Sequence, residues 1–319
     1  MALSFGNNKN VEVYIMIGFQ HRSVASFLAL ALGTTLVLAI SSSMAAELAT
    51  KVSFRPASAG GPAMRAVPSG IDELVLSAPP REDASEAERI YGPVAEYLTT
   101  VLGRKVTFRF PGNWGAYQGM MQKGVYDLVF DGAHFTAWRA ANTRHTALLK
   151  VPGEHVFVVV VNKDNTRITN IKQVAGRRVC GYAPPNLGTL TVLNEFDNPM
   201  RQPVIVNVDG WKNIYRGVLE GKCDAAAVPL KKLEQFEKEG GRLTRIVFRG
   251  ASLPDSALSA GPRITSAEQD KIVRALQSPK GEAITARLRA KYGYNKSFIA
   301  TNNQEFAGLS SYLKNEWGY

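Results

Sequence analysis

The chain has 319 residues, of which 45% are hydrophobic and 20% are charged, and its formal net charge at pH 7 is +11. This composition excludes a disordered chain, and the length is sufficient for two lobes of ordinary domain size. The charge could indicate nucleic acid as the partner, but the Lys and Arg residues are scattered and form no basic stripe interleaved with aromatic residues. A basic protein that attracts small anions fits the charge equally well.

The N-terminal region has the features of a secretory signal peptide. His21 and Arg22 precede an apolar segment from 24 to 40, and Ser43 and Ala45 are small residues at the two positions that a signal peptidase recognises. We therefore expect cleavage near Ala45 and export to the periplasm.

Residues 1–45 form this predicted signal peptide, and residues 46–70, rich in Ala, Ser, Gly and Pro, are expected to be a flexible lead-in. An uncleaved anchor helix is the alternative, although the apolar segment is short for a membrane span. The leader is long, so the start codon stays open between Met1 and Met16.

Strands and helices alternate after residue 70. The predicted order is strand 74–77, helix 85–102, strand 106–110, helix 114–123 and strand 126–130. Such alternation with short connections predicts an α/β unit with a mainly parallel sheet flanked by helices, in which a ligand binds beyond the carboxyl ends of the strands.

Five residues fall on this rim of the first predicted sheet: Ser77, Arg81, Asp131, His134 and Phe135. They offer polar groups and an aromatic wall to a ligand in the crevice. A single histidine or phenylalanine at such a position is more often structural, and their coincidence at one rim leaves ligand binding and packing as equal interpretations.

A second alternating series follows the β-prone run 156–161. Its predicted elements are strand 178–181, helix 189–194, strand 203–208, helix 211–220, strand 224–228, helix 230–239, strand 245–248, two helices between 266 and 293, and a final helix 304–315. We expect a two-lobed α/β clamshell, in which residues 71–155 and 253–319 form lobe 1 and residues 156–252 form lobe 2.

The second lobe offers a helix start of a kind that attracts anions. Asn186 is predicted to cap this helix, which leaves the backbone amides of Gly188, Thr189 and Leu190 without helical partners. These amides, the helix dipole and the hydroxyls of Thr189 and Thr191 favour a bound anion. Taken alone, the stretch favours an ordinary helix start, because most helix N-termini hold only water.

Cys180 and Cys223 are the only cysteines. In an oxidising compartment they are able to form one disulfide, and the sequence gives equal weight to two free, buried thiols. The four histidines show no ligand spacing, so neither a metal site nor a cofactor is expected.

Four segments carry a resemblance to a known family. They are VAEYL with LG at 94–98 and 102–103, YDLVFDGA at 126–133, IKQVAGRRV at 171–179, and GVLEGKCDAAA at 217–227. In their order and spacing the chain resembles, over residues 71–293, the periplasmic solute-binding proteins of phosphate, phosphonate and phosphite ABC transporters. These form the phosphonate-binding branch of the type II periplasmic binding fold.

The resemblance implies a monomeric, non-enzymatic clamshell that captures a small oxyanion and delivers it to an ABC permease. The chain departs from the family pattern at 184–189, where a Pro-Pro-Asn turn replaces a hydroxyl-rich anion clamp, and at Trp211, where a polar residue is common. Phe135 and Trp211 are therefore candidates to pack an organic portion of the ligand.

Two other functions stay open. One is a ligand-binding partner that docks on a membrane sensor instead of a permease. The other is an exported enzyme with Cys180 as its nucleophile, although no sequence feature places a histidine beside that thiol and a disulfide would remove its reactivity.

Overall fold

The computed structural model describes residues 73–314, which lie within one compact unit of the chain, Val67–Tyr319. The predicted signal peptide at 1–45 and lead-in at 46–70 lie outside the described residues, as does the choice of start codon. None of the described helices is long and apolar enough to cross a membrane.

The described strands are β1 (Leu74–Ser77), β2 (Val106–Phe108), β3 (Leu128–Asp131), β4 (Thr146–Lys150), β5 (Glu154–His155), β6 (Phe157–Asn162), β7 (Arg178–Gly181), β8 (Val204–Asn207), β9 (Ala225–Pro229), β10 (Thr244–Arg249), β11 (Leu253–Pro254), β12 (Ala257–Ala260) and β13 (Ile299–Ala300). The described α-helices are α1 (Ala84–Leu102), α2 (Trp114–Gln122), α3 (Ala133–Asn142), α4 (Leu187–Leu193), α5 (Trp211–Leu219), α6 (Leu230–Gly240), α7 (Ser266–Leu276), α8 (Pro279–Ile284) and α9 (Ala286–Tyr292).

Helix α1 illustrates how local sequence sets these bounds. It begins after Asp83, whose carboxylate accepts the backbone amide of Glu86 at 2.8 Å, and it ends at Gly103, which adopts a φ of 65° that favours glycine. Its apolar stripe packs against β1 and the rest of the first sheet, where each fully buried aliphatic side chain contributes about 1.5–3 kcal/mol.

Two sheets organise the chain. The first lobe is built on a six-stranded sheet of order β13-β4-β12-β3-β1-β2, and the second on a five-stranded sheet of order β10-β6-β9-β7-β8. The predicted two-lobed α/β clamshell is thus confirmed as a fold class. Both sheets contain the expected parallel strands together with antiparallel ones: β1, β2 and β3 pair in parallel, as do β7, β8 and β9, and the other pairs are antiparallel.

The antiparallel strands have a simple topological cause. The chain enters each lobe from the other lobe at the carboxyl ends of the parallel strands, so the entering strand must run back against them. Accordingly Ala257, the first residue of β12, pairs with Asp131 at the end of β3, and Phe157 at the start of β6 pairs with Pro229 at the end of β9. The cleft therefore lies where the chain crosses between lobes.

Two crossover segments join the lobes, between β4 and β6 and between β10 and β12. They pair with each other as a two-stranded antiparallel ribbon in which His155 of β5 lies opposite Leu253 of β11. A polar contact reinforces this ribbon, with 3.6 Å between His155 Nδ1 and Asp255 Oδ1.

The two cysteines, which the sequence left as either bonded or free, form a disulfide. Cys180 lies in β7 and Cys223 lies two residues before the start of β9, with their Cα atoms 5.6 Å apart. Gly217 of α5 allows the close approach of this bond, because a Cβ there would lie 2.6 Å from Cys180 Sγ. The enzyme alternative based on a Cys180 thiolate loses its nucleophile in this state.

The prediction of one helix over 304–315 is wrong, because its described part, residues 304–314, does not form a continuous α-helix. The chain forms two 3-10 segments, Asn303–Phe306 and Leu309–Leu313, which are separated by Gly308 with a φ of 80°. A residue in this left-handed conformation ends a right-handed helix.

Candidate functional site

The two lobes touch through the helix starts at their facing rims. His134, in the first turn of α3, has its Nε2 3.0 Å from the carbonyl oxygen of Pro185, which lies just before α4 in the second lobe. Because a carbonyl oxygen only accepts, Nε2 carries the hydrogen and donates.

Apolar side chains join the lobes on either side of this bond. Leu190 of α4 packs into the first-lobe cluster that contains Val75, Tyr117 and Phe135. Leu187 of the same helix packs with a second set of residues that also spans both lobes: Ala133, Ala137, Phe157 and Phe306. The lobes are therefore in contact in this structure, as in a closed clamshell.

Helix α3 presents its positive end at this rim. Its N-cap is Gly132, which has no side chain to satisfy the first amides, and the amides of Phe135 and Thr136 donate to the Gly132 carbonyl at 3.0 Å each. The amides of Ala133 and His134 precede these first helical bonds, so partial positive charge is concentrated there.

His134 is buried, and its ring has one nitrogen that lacks a partner among the described residues, Nδ1. Burial lowers the pKa of His134 to about 3, with a smaller contribution from the nearby positive charge of Arg81, while the bond to Pro185 opposes this shift. The ring is neutral at physiological pH. Since Nε2 carries the hydrogen, Nδ1 is a hydrogen-bond acceptor.

Arg81 lies beside this acceptor. A Cβ built on Gly132 would be 3.2 Å from His134 Nδ1 and 3.7 Å from Arg81 Nη2, so both nitrogens border the position that a side chain would occupy there. The Arg81 guanidinium packs over the Tyr292 ring at 5.1 Å from its centroid. Arg81, Gly132 and His134 thus form one polar corner at the rim, which we call the Arg81 corner.

Two further buried oxygens near Arg81 lack partners among the described residues: Glu82 Oε2 and Tyr91 Oη. The other oxygen of Glu82 accepts the Tyr292 hydroxyl, and Lys291 Nζ lies 3.5 Å away. Burial raises the pKa of Glu82, although the positive charges of Arg81 and Lys291 oppose this shift. The sequence analysis did not identify Glu82 or Tyr91 as part of this region. The position of Glu82 next to Arg81 in the sequence was the feature that could have indicated it.

Asp131 is placed at the rim as expected, but its carboxylate is committed to buried partners. It forms an ion pair with Arg139 at 3.0 Å and accepts hydrogen bonds from Tyr117 at 2.7 Å and Thr136 at 3.0 Å. This network ties β3, α2 and α3 together. The position of Arg139, three residues after Thr136 on the buried face of α3, was a signal for it.

Ser77 and Phe135 are buried in the first lobe. The Ser77 hydroxyl donates to the Arg109 carbonyl at 2.8 Å. The Phe135 ring stacks on Trp114 with centroids 6.1 Å apart and meets Tyr117 edge-on at 5.6 Å. Both side chains are thereby used in packing, and the structure does not bring Phe135 together with Trp211 as an aromatic pair.

The second-lobe helix start uses its polar groups locally. The Asn186 side chain accepts the Gly188 amide at 2.9 Å, the Thr189 hydroxyl donates to the Tyr182 carbonyl, and the Thr191 hydroxyl donates to the Leu187 carbonyl at 2.8 Å. Gly188 is covered, because a Cβ there would lie 2.6 Å from the Phe157 ring. The Leu190 amide donates to the Asn186 carbonyl at 2.9 Å. Both hydroxyls and the amides of Gly188 and Leu190, which were expected to hold an anion on this side, are therefore engaged within the protein.

Trp211 begins α5 and contributes to an aromatic wall on the second lobe. Its ring meets Tyr182 edge-on with centroids 4.7 Å apart and lies 6.3 Å from Phe157. The Tyr182 hydroxyl accepts the Gly210 amide at 3.0 Å, which fixes the wall to the start of α5. Among residues 73–314 there is no group of three or more His, Cys, Asp or Glu side chains that would hold a metal ion.

The fold is that of a type II periplasmic binding protein, with crossovers and helix starts at a cleft between two α/β lobes. The model of one family, the periplasmic substrate-binding protein of phosphonate ABC transporters, matches residues 76–306, and the chain belongs to this family. This family comprises substrate-binding components of transporters and is not an enzyme family.

Solved structures share the fold at low sequence identity. XAC2383 from Xanthomonas citri, bound to ATP, has a TM-score of 0.60 and 14% identity over 76% of this chain and 98% of that chain. PhnD1 from Prochlorococcus marinus, in complex with methylphosphonate, has a TM-score of 0.52 and 15% identity over 76% and 98%. A comparison with curated protein sequences gives no match.

Proposed function

We propose that this protein captures a small phosphorus oxyanion, such as a phosphonate, phosphite or phosphate, between its two lobes and delivers it to an ABC permease. The observation that carries the proposal is the Arg81 corner. There a guanidinium, the uncapped positive end of α3 and a side chain-free position at Gly132 adjoin one another. Guanidinium groups and helix N-termini are general binding groups for oxyanions.

Three of the proposed binding residues, Arg81, His134 and Trp211, were expected from the sequence, whereas Gly132 and Tyr182 are added here. Arg81 supplies the charge, and Gly132 and His134 supply space, an amide and a ring nitrogen. Trp211 and Tyr182 form the wall across the cleft that would meet an organic substituent. Family membership supports the ligand class, and methylphosphonate in the PhnD1 complex is of that class.

The proposal includes the cellular context of the protein. The signal peptide is cleaved near Ala45, the mature protein acts in the periplasm as a monomer, and it catalyses no reaction. Lobe 1 comprises residues 71–155 and 253–319, and lobe 2 comprises residues 156–252. Docking on a membrane sensor instead of a permease is the competing role, and binding assays with the purified permease and sensor domains would separate the two.

The binding proposal is tested with the purified mature protein and a panel of phosphate, phosphite, methylphosphonate, sulfate and ATP. A ligand held only by the folded state at about one hundred times its Kd raises the free energy of unfolding by about 2.7 kcal/mol, which a thermal shift detects. We expect a shift from at least one phosphorus oxyanion, and no shift from any of them would contradict the proposal.

A substitution localises the site. We expect Arg81→Gln to weaken oxyanion binding at least tenfold in calorimetry, because it removes the one guanidinium of the corner. Arg89→Gln is the matched control, since Arg89 lies on the exposed face of α1 and pairs only with surface groups of Glu86 and Ser85. Equal binding by both variants would remove Arg81 from the site.

A further inference from the structure

The Arg81 corner combines an obligate donor with an obligate acceptor. The Arg81 guanidinium only donates hydrogen bonds, whereas His134 Nδ1, buried and unpartnered among the described residues, only accepts in the neutral ring. Both nitrogens border the same position beside Gly132, at 3.7 Å and 3.2 Å from the site of a Cβ there.

The role of Nδ1 follows from a contact in the other lobe. Nε2 donates to the Pro185 carbonyl, so the single hydrogen of the neutral ring resides on Nε2 and the lone pair on Nδ1. A second proton on the ring is disfavoured, because burial lowers the His134 pKa to about 3.

Other titratable groups around the corner do not supply the missing hydrogen bond. Arg81 is the charged group that acts on the His134 ring. Glu82, from the loop before α1, is engaged with Tyr292 and Lys291, and Asp131 at the end of β3 is engaged with Arg139. Tyr91 on α1 interacts electrostatically with Arg81, Glu82 and Asp131, and its buried hydroxyl forms no hydrogen bond to the His134 imidazole.

We propose that His134 determines specificity for the singly protonated, monoanionic form of the oxyanion, whose acid hydroxyl donates to Nδ1 while another of its oxygens accepts from Arg81. This inference rests on the proposed function and deepens it by naming the protonation state that is bound. A fully deprotonated oxyanion places lone pair against lone pair at Nδ1. An unsatisfied buried acceptor of this kind costs about tenfold to a hundredfold in affinity.

Methylphosphonate and methanesulfonate make a matched pair of probes. As monoanions they have the same shape and charge, but only methylphosphonate carries an acid hydroxyl. Below the second ionisation of methylphosphonate, we expect calorimetry to show that it binds at least tenfold more tightly than methanesulfonate. Above that ionisation its affinity should fall about tenfold per pH unit until it reaches the weaker affinity of the dianion, because the preferred form becomes the minor form in solution.

Methanesulfonate is also a control for pH-dependent changes in the protein, since its own charge does not change over this pH range. Any decrease in its binding free energy with pH is subtracted from the decrease measured for methylphosphonate. A methylphosphonate affinity that stays constant through the ionisation, or equals that of methanesulfonate, would overturn the inference and leave the proposed function intact. Failure of the wild-type protein to bind any phosphorus oxyanion would overturn both.

A variant separates the two ring nitrogens. His134→Gln keeps an amide N–H able to donate to the Pro185 carbonyl but has no acceptor at the Nδ1 position, so the preference for methylphosphonate and its pH dependence should disappear. His145→Gln, at the other histidine that is buried among residues 73–314, should retain both. If His134→Gln retains the preference, the inference is wrong, and if this variant does not fold, the pH series on the wild-type protein decides.

Discussion

His134 and His145 are both buried, and each is kept neutral by its surroundings. Burial lowers the pKa of each to about 3 from the ordinary value of 6.5, and at His145 the charge of Arg139 adds to this effect. His145 Nδ1 lies 3.1 Å from the Ser259 hydroxyl, which holds it between α3 and β12. The two rings therefore resist protonation in the folded protein but not in the unfolded chain.

The sign of the resulting pH dependence follows from linkage. Below pH 6.5 the unfolded chain takes up a proton at each histidine while the folded protein does not, so stability is full above pH 6.5 and is lost as the pH falls towards 3. Each histidine contributes a slope of about 1.4 kcal/mol per pH unit in this window. We expect urea unfolding of His145→Gln between pH 6 and 4 to show a slope smaller by about that amount. An unchanged slope would contradict the burial argument.

Gly132 is the second residue with a specific prediction. Its φ of −72° suits any residue, so Gly132→Ala introduces no backbone strain, but its methyl group would lie 3.0 Å from His134 Cε1 and 3.2 Å from Nδ1. We expect this variant to fold and to lose oxyanion affinity at least tenfold, because the space beside Arg81 is filled. Gly119→Ala, with open space around its position on α2, is the control and should bind normally in calorimetry.

At the scale of elements, the order of strands and helices was predictable because hydrophobic periodicity and turn residues are local signals. Helix α1, for example, was expected over 85–102 and extends from Ala84 to Leu102. The antiparallel returns of β6 and β12 were not predicted, because strand direction depends on where the chain crosses between lobes.

The site was predictable only in part, for the same reason. The sequence placed Asp131 and His134 at the rim, but whether each faces a ligand depends on distant residues, Arg139 for the former and Pro185 for the latter. Likewise, Thr189 and Thr191 are in the expected helix start, yet their hydroxyls bond to nearby carbonyls that a linear pattern does not identify.

The disulfide joins two secondary-structure elements, β7 and the turn between α5 and β9. Its cysteines are 43 residues apart in the sequence. In the chain-entropy account, a loop of this length stabilises the folded state by about 4 kcal/mol, and measured values for native disulfides are typically 2–4 kcal/mol. We expect Cys180→Ser/Cys223→Ser to lose about this much in urea unfolding, whereas reductant should not further destabilise that double variant. A loss below about 1 kcal/mol would contradict the prediction.

At the scale of the whole molecule, closure of the lobes depends on side chains that cross the cleft. Leu190 belongs to α4 but packs with the first-lobe residues Tyr117 and Phe135, so we expect Leu190→Ala to lose about 2–5 kcal/mol of packing in the closed form. Small-angle scattering of the variant without ligand should show a larger radius of gyration, and oxyanion affinity should fall.

Val192→Ala is the matched control for closure. Val192 lies on the same helix and is equally buried, but it packs inside the second lobe with Val159 and Val179. This variant should be less stable to urea without a change in radius. Identical scattering of the Leu190 and Val192 variants would mean that Leu190 does not hold the lobes together.

The bond between His134 and Pro185 links two lobes, and this has a kinetic consequence for the proposed ligand selection. When the lobes separate, Nε2 loses its carbonyl partner, and the imidazole is free to place its hydrogen on either nitrogen. We therefore expect the open protein to admit oxyanions of either protonation state at similar association rates. Discrimination should appear after closure, in how slowly the singly protonated ligand dissociates.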